Sequence, residues 1–278
     1  MNVGTLTVDA VRDGQFVCPV NFEYPEVEAS RWGSWRELLT DGDKVVNEFG
    51  SFLVRGGDRV VLVDLGFGPA EVPDWKSGEL LRSLAALGVE PEQVTDVLLT
   101  HLHFDHIGWA TVGGQITFPN ATYRCHEKDW PHFMEGYEPR PEELTFPAEM
   151  LPVNKLAPVA DRMEFFSGAV EVIPGIEVIE TPGHSPGHCS FRVVSQGEAV
   201  VLAGDIAHHQ AEFVEPGWQG VADDDEELAR RSRRGLAEHL AETGTPFVAA
   251  HFRDWQWGRV TKTEAGLAWE PVALVASS

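Results

Sequence analysis

The stretch Val97-Leu98-Leu99-Thr100-His101-Leu102-His103-Phe104-Asp105-His106 decides how this chain is read. Its apolar beginning reads as a buried strand. Side chains two apart share a strand face, so His101 and His103 leave the C-terminal edge of that strand on one side. The chain must then bend before Asp105 and His106 can face another direction. One short segment therefore offers ligands to two neighbouring cations rather than one.

Further candidates occupy equivalent places, each after an apolar strand or a Gly/Pro turn. His184 lies in Thr181-Pro182-Gly183-His184-Ser185-Pro186-Gly187-His188. Asp205 ends Val201-Leu202-Ala203-Gly204-Asp205, and His251 follows Val248-Ala249-Ala250. Loops held by a rigid scaffold are where sheet proteins carry functional groups. One cation can take His101, His103 and His184, and a second can take Asp105, His106 and His251. Asp205 has two oxygens and can bridge both. Nitrogen and oxygen ligands without thiolate suit two zinc ions, or manganese, iron or cobalt in their place. Two ions roughly 3.5–4 Å apart can hold a hydroxide between them and polarise a carbonyl or phosphoryl oxygen. That makes a nucleophile without a serine or cysteine. A single-ion site is the alternative reading of the same residues.

Other histidines carry weaker signals. His126, His132 and His239 lack ligand neighbours in the sequence and read as ordinary surface or core residues. His188 is either a support for the ligands or a turn residue. His208 and His209 follow Asp205 closely, so at least one of them is expected to face the pocket. The run Asp223-Asp224-Asp225-Glu226-Glu227 could be a cation site. With Leu228, Leu236 and Leu240 beyond it, it reads better as the acidic start of a long helix.

The rest of the chain reads as alternating strands and helices in one domain, residues 1–278, with no dividing linker. Residues 1–20 are strand material. Phe49–Val54 and Arg59–Asp64 form a hairpin, as do Val170–Ile173 and Ile176–Ile179 around Pro174-Gly175. Leu80, Leu81, Leu84 and Leu87 mark a helix that Gly88 ends. Strands are also expected at Ala121–Cys125, Ser190–Val194, Ala199–Leu202 and Phe247–Ala250. Residues 21–48 form a long N-terminal excursion, and residues 131–160 an irregular region that covers the site. Trp32 and Trp35 could cap the pocket. Phe104, Trp109, Trp218 and Phe252 are candidates for its apolar wall.

Composition narrows the partners. The chain of 278 residues is 43% hydrophobic and carries a formal charge of -23. Such a surface repels nucleic acid and anionic membranes, so neither is expected as a partner and a small-molecule substrate is. No run is long enough to span a membrane, and the N-terminus lacks a signal-peptide pattern. A cytoplasmic location is the default expectation. The three cysteines, Cys18, Cys125 and Cys189, are far apart and read as buried small hydrophobes. The nine tryptophans could feed a homodimer interface or only the core.

Taken in order, the motifs resemble those of the metallo-β-lactamase superfamily. They are Val63-Asp64-Leu65-Gly66, then His101-x-His103-x-Asp105-His106, then Thr181-Pro182-Gly183-His184-Ser185-Pro186-Gly187-His188, then Gly204-Asp205, and finally His251. The resemblance implies an α/β (α+β) fold, a four-layer αββα sandwich, and the ligand assignment reached above. It also implies that Asp64 is the buried aspartate that orients loops beneath the metals. Within the superfamily, Asp205 argues against antibiotic hydrolysis. The charge argues against the nuclease branches, and the compact C-terminus against glyoxalase II. The chain is most similar to the quorum-quenching lactonase and organophosphate-hydrolase branch, whose acyl-homoserine lactonases usually carry tyrosine where His208 stands.

The expected activity is that of a dinuclear metal-dependent hydrolase. A metal-bridging hydroxide opens an ester or lactone bond of a small, largely apolar substrate. Asp105 relays a proton and His208 serves as general acid. A mononuclear iron oxygenase of the same fold is the alternative, as is a thioesterase or phosphotriesterase.

Overall fold

The alternation of apolar side chains in the first half of the chain creates a sheet buried on both faces. The computed structural model describes residues 1–73, 75–140, 145–215 and 217–273. Its first sheet contains β1 (Asn2–Val3), β2 (Leu6–Pro19), β3 (Lys44–Gly56), β4 (Arg59–Val63), β5 (Trp75–Lys76) and β6 (Asp96–Leu98). A small ribbon follows, β7 (Thr111–Val112) with β8 (Gln115–Ile116), and then β9 (Thr122–His126) and β10 (Met163–Phe166) complete the sheet. The order is β1-β2-β3-β4-β6-β9-β10, with β5 on β2. Pairing is antiparallel from β1 to β4 and parallel from β4 to β10. The second sheet runs in chain order from β11 (Glu171–Ile173), β12 (Ile176–Glu180), β13 (Cys189–Ser195) and β14 (Glu198–Leu202) to β15 (Phe247–Val248), β16 (Gly258–Thr263) and β17 (Gly266–Pro271).

Register and alternation together place the core. Phe52 pairs with Val63 and Leu53 with Leu62, while Leu62 pairs with Val97 and Val63 with Leu98. Phe52, Val63 and Leu98 therefore share one face, and Leu53, Leu62 and Val97 the other. The first face packs against Phe191, Val193, Leu202 and Phe247 of the second sheet. The other packs against Leu80 and Leu84 of helix Leu80–Ala86. A long helix, Glu226–Thr243, buries Leu236, Ala237 and Leu240 beside the second sheet. The expected αββα order is thus the order found.

That long helix begins as the acidic run foretold. Asp225 caps it by accepting from the backbone N–H of Leu228, and Gly244 ends it in the left-handed region at φ 65°. The terminal hairpin of β16 and β17 and the parallel edge strand β10 are elements that the sequence reading did not separate from loop. The irregular region expected at 131–160 contains short helical turns, and residues 141–144 within it lie outside the described residues.

Candidate metal centre

Four strands end at one rim of the sandwich. His101 and His103 follow β6, and His103 precedes the single turn Phe104–Ile107 that swings Asp105 and His106 round. His184 sits in the loop between β12 and β13, Asp205 follows β14, and His251 follows β15. In open α/β sheets this carboxyl edge is the usual ligand site. All seven residues named from the sequence meet there. His101, His103 and His184 form one group and Asp105, His106 and His251 another, with ligand atoms inside each group within 4.8 Å of one another. Asp205 lies between them. Its Oδ2 is 3.4 Å from His184 Nε2 and 2.9 Å from His251 Nε2, and its Oδ1 is 3.2 Å from His106 Nε2.

Buried partners aim the rings of His101, His106, His184 and His251 from behind. Asp64 accepts from the Thr100 backbone N–H and hydroxyl, and its Oδ2 holds His106 Nδ1 at 2.9 Å. His106 Nε2 is thereby turned into the cluster. Asp64 itself sits at φ 61°, a conformation costing about 1–3 kcal/mol in a non-glycine residue, and those three bonds hold it there. His251 Nδ1 donates to the carbonyl of Glu48 at 2.8 Å, and His184 Nδ1 to Asp223 Oδ1 at 2.9 Å. His101 Nδ1 lies 3.1 Å from the Thr100 hydroxyl. Nδ1 of His103 and Nε2 of His184 face each other at 3.0 Å. His188 is not in the cluster. Its Nδ1 faces the Thr181 carbonyl and its Nε2 accepts from the Asp205 N–H, so it fixes the loop that presents Asp205.

The donor set fits divalent cations on an observation internal to the site. His101 Nε2, His106 Nε2 and Asp205 Oδ1 are buried without a hydrogen-bond partner. His106 Nε2 and Asp205 Oδ1 are close in space but poorly aligned for a mutual bond. Orphaned buried polar atoms are costly, and three converging from two residue types are what a cation would satisfy. Burial holds the imidazoles of His101, His103 and His184 well below the usual histidine range, which leaves them neutral with a lone pair to give. At His106 burial also acts downward, but Asp205, Asp64 and Asp105 outweigh it and the net shift is strongly upward.

Beside the cluster lies a pocket of about 570 Å³. Trp75 stacks on Phe16 at 4.3 Å and on Phe49 at 5.3 Å, and Phe104 meets Phe146 edge-on at 4.9 Å. Of the four aromatic residues expected in the wall, Phe104 alone lines it. Trp109 turns away and donates to Asp13 at 2.7 Å. Trp218 packs on Trp32, and Phe252 enters the core between the sheets. Trp32 and Trp35 do not cap the pocket, because they close around the ring of His209 instead. His208 does reach the pocket, its Nε2 3.3 Å from Asp205 Oδ2 and its Nδ1 3.5 Å from Glu23 Oε1. Burial pulls its pKa down, yet the Asp205 hydrogen bond and the Glu23 charge carry it up to about 10. Glu23, Trp75, Phe146 and Arg140 are pocket residues that the sequence reading missed. Each stands alone in its segment with no motif around it.

Comparison with known proteins agrees with this geometry. Residues 51–263 match the Metallo-beta-lactamase superfamily. An N-acyl homoserine lactonase of Bacillus cereus is 30% identical over 222 residues, 74% of this chain and 81% of its own length. The crystal structure of hydrolase AbOPH in the beta lactamase superfamily superposes with a TM-score of 0.86 at 25% identity, covering 99% of this chain and 97% of that one. AidC, a dizinc quorum-quenching lactonase solved in complex with a product, shares the fold with a TM-score of 0.87 at 22% identity, over 99% of this chain and 97% of its own.

Proposed function

The chain belongs to the metallo-beta-lactamase superfamily, and on that premise we propose that it is a metal-dependent hydrolase opening an ester or lactone bond of a small substrate with an apolar part. The observation that carries this reading is the convergence of seven ligand-type side chains, three of their atoms orphaned, beside a pocket walled by stacked aromatic rings. The lactonase of Bacillus cereus supports the same reaction class. In this reading residues 1–278 form one domain, since Val8 and Phe52 share a core with Phe247 and Val260.

His101, His103 and His184 would hold one ion and Asp105, His106 and His251 the other, with Asp205 serving both. Two zinc ions suit the set, and manganese, iron or cobalt have the same ligand preferences. When bound, such ions acidify water and polarise a carbonyl oxygen. The residues of the chain do the rest. No serine or cysteine stands among the described residues of the pocket, and burial pushes all three cysteine thiols up; in this reading the nucleophile is water. Asp105, at 12% exposure the most open of the seven, accepts the proton that water gives up. His208 donates to the leaving oxygen, with Glu23 holding its other nitrogen. The Trp75 wall seats the apolar part and excludes bulk water.

The test is hydrolysis by metal-analysed protein of a panel containing lactones, aryl esters, a thioester, a phosphotriester and a cephalosporin. His103→Ala and Asp205→Ala are expected to lose metal and turnover together. Equal ester turnover in either variant would overturn the reading. One iron per chain with oxygen uptake would replace it by oxygenase chemistry.

A further inference from the structure

Arg233 occupies a place in the long helix that its neighbours do not share. Arg230, Arg231 and Arg234 pair with Glu226, Glu227 and Glu238 one turn away on the outer surface. Arg233 instead lies in the buried stripe of Ala229, Leu236, Ala237 and Leu240, and its side chain is 4% exposed. Helical spacing calls for an apolar residue there. A buried guanidinium is costly to desolvate, and an apolar replacement of similar volume is often neutral or stabilising. Core packing therefore does not account for the arginine, and its partners do.

Each nitrogen of the fork is used. Nε donates to the carbonyl of Ile206 at 2.7 Å, next in the chain to Asp205. Nη1 donates to Glu212 Oε2 at 2.6 Å and to the Trp218 carbonyl at 3.2 Å, and Nη2 to Asp223 Oδ2 at 3.2 Å. Both carboxylates pass the hold on. The other oxygen of Asp223 accepts from His184 Nδ1, and that of Glu212 from the backbone N–H of His208 at 2.7 Å. Gln219 also donates to Asp223 Oδ2. It is half-buried on a loop, whereas the guanidinium is planar, rigid and carried by a helix of 18 residues. Three stretches of the rim, at His184, Asp205 and His208, are thus registered to one plane. A lysine has no planar fork and cannot reproduce that registration.

We infer that Arg233 is a positioning residue for the metal centre: through Asp223 it aims Nε2 of His184 at the first ion, and through Glu212 and Ile206 it sets His208 beside Asp205. Asp223, paired with the guanidinium, presents acceptors to His184, so the ring proton stays on Nδ1 and Nε2 turns its lone pair to the cluster. His106 and His251 are aimed from elsewhere, by Asp64 and the Glu48 carbonyl. One consequence separates positioning from general support. Loss of the Arg233 fork weakens one ion and spares the other. This inference rests on the two-ion reading above and not on the identity of the substrate.

The experiment titrates zinc into chelator-treated full-length protein against a competing chelator, which resolves two binding steps. Nitrogen NMR of the histidine rings is recorded before metal is added. In Arg233→Lys one step is expected to weaken about 10- to 100-fold while the other is unchanged. In an Asp223→Ala background the lysine change should weaken that step no further. In metal-free wild type the His184 proton sits on Nδ1, and in Arg233→Lys it is shared with Nε2. Both steps weakened alike, or neither, overturns the proposal. If Arg233→Lys does not fold, Asp223→Ala must show the one-step loss by itself, and two unchanged steps there overturn the proposal as well. If the wild type does not take two ions, the two-ion reading falls and the His184 ring still decides. A proton on Nδ1 in both proteins then overturns the role of Arg233, and a shared proton in the variant upholds it.

Discussion

The floor of the site and its wall are built in opposite ways. The floor draws His101, His103, Asp105 and His106 from six consecutive residues, and the rings of His106, His251 and His184 are aimed by the buried partners Asp64, Glu48 and Asp223. The wall gathers Phe16, Trp75, Phe104 and Phe146 from separate segments, held to one another by ring contacts and, for Phe16 and Trp75, by the pairing of β2 with β5. The floor is a hydrogen-bonded frame in which one lost partner leaves others stranded. The wall is an apolar surface in which one lost ring leaves a gap. Damage to the floor should therefore spread to metal binding and stability, and damage to the wall should stay with substrate affinity.

The largest effect is expected at Asp64. Alanine there strands the Thr100 N–H and hydroxyl and releases His106. Removing one partner from such a buried charged network costs about 3–5 kcal/mol. Urea unfolding of chelator-treated protein should show that loss, and metal analysis a loss of at least one ion per chain. Full retention of both ions in Asp64→Ala would mean that the floor is not a connected frame.

Asp129 tests the same frame from its edge. It clamps the loop carrying His184 by accepting from the Ser185 hydroxyl at 2.9 Å and the Gly187 N–H at 2.6 Å. Burial lifts its pKa from 3.8 to about 7, those hydrogen bonds acting the other way. An acid raised by folding binds more protons in the native state. Its contribution is therefore complete below the unfolded pKa and disappears as pH rises through about 7. Across that window the loss amounts to about 4 kcal/mol at most. Asp129→Asn should flatten the decline in unfolding free energy between about pH 5 and pH 7.5, measured without metal. A decline of unchanged slope would place the titration elsewhere.

The wall is probed at Trp75. Alanine there removes the ring that Phe16 and Phe49 stack on, and KM for apolar esters should rise roughly tenfold while metal content stays at the wild-type value. Metal loss in Trp75→Ala would erase the distinction between floor and wall.

The same distinction explains what the sequence disclosed. Four ligand-type side chains in six residues are improbable by chance, and strand alternation states which way the neighbours point, so the floor could be assembled from the chain alone. Wall residues carry no such signal. Trp75 and Phe146 are single aromatic residues at ordinary density, brought together only by folding. Nearness in sequence to a motif also misled: Trp109 lies three residues beyond His106 but faces Asp13, and Phe252 adjoins His251 but enters the core. Both residues lie beyond the regular element that presents the ligand, in turns where strand or helix periodicity no longer says which way a side chain points. The β16–β17 hairpin was missed for a related reason, since of its two strands only Gly258 and Val260 are buried and the apolar alternation is faint.

The smallest effect, and the sharpest test of where floor meets wall, is Glu23→Gln. Glu23 comes from the N-terminal excursion, where its neighbour Phe22 also lines the pocket, yet its carboxylate reaches His208, which in turn reaches Asp205. It belongs to none of the candidate ligand groups, so metal content should hold. Glutamine keeps an acceptor for His208 Nδ1 but removes the charge, so His208 stays in place as a weaker partner for the leaving oxygen. A fall in kcat of roughly 3- to 10-fold with little change in KM is expected. In a His208→Gln background the same change should cost almost nothing, because the two residues act as one unit. Equal losses in both backgrounds would show that Glu23 works through the pocket wall rather than through His208.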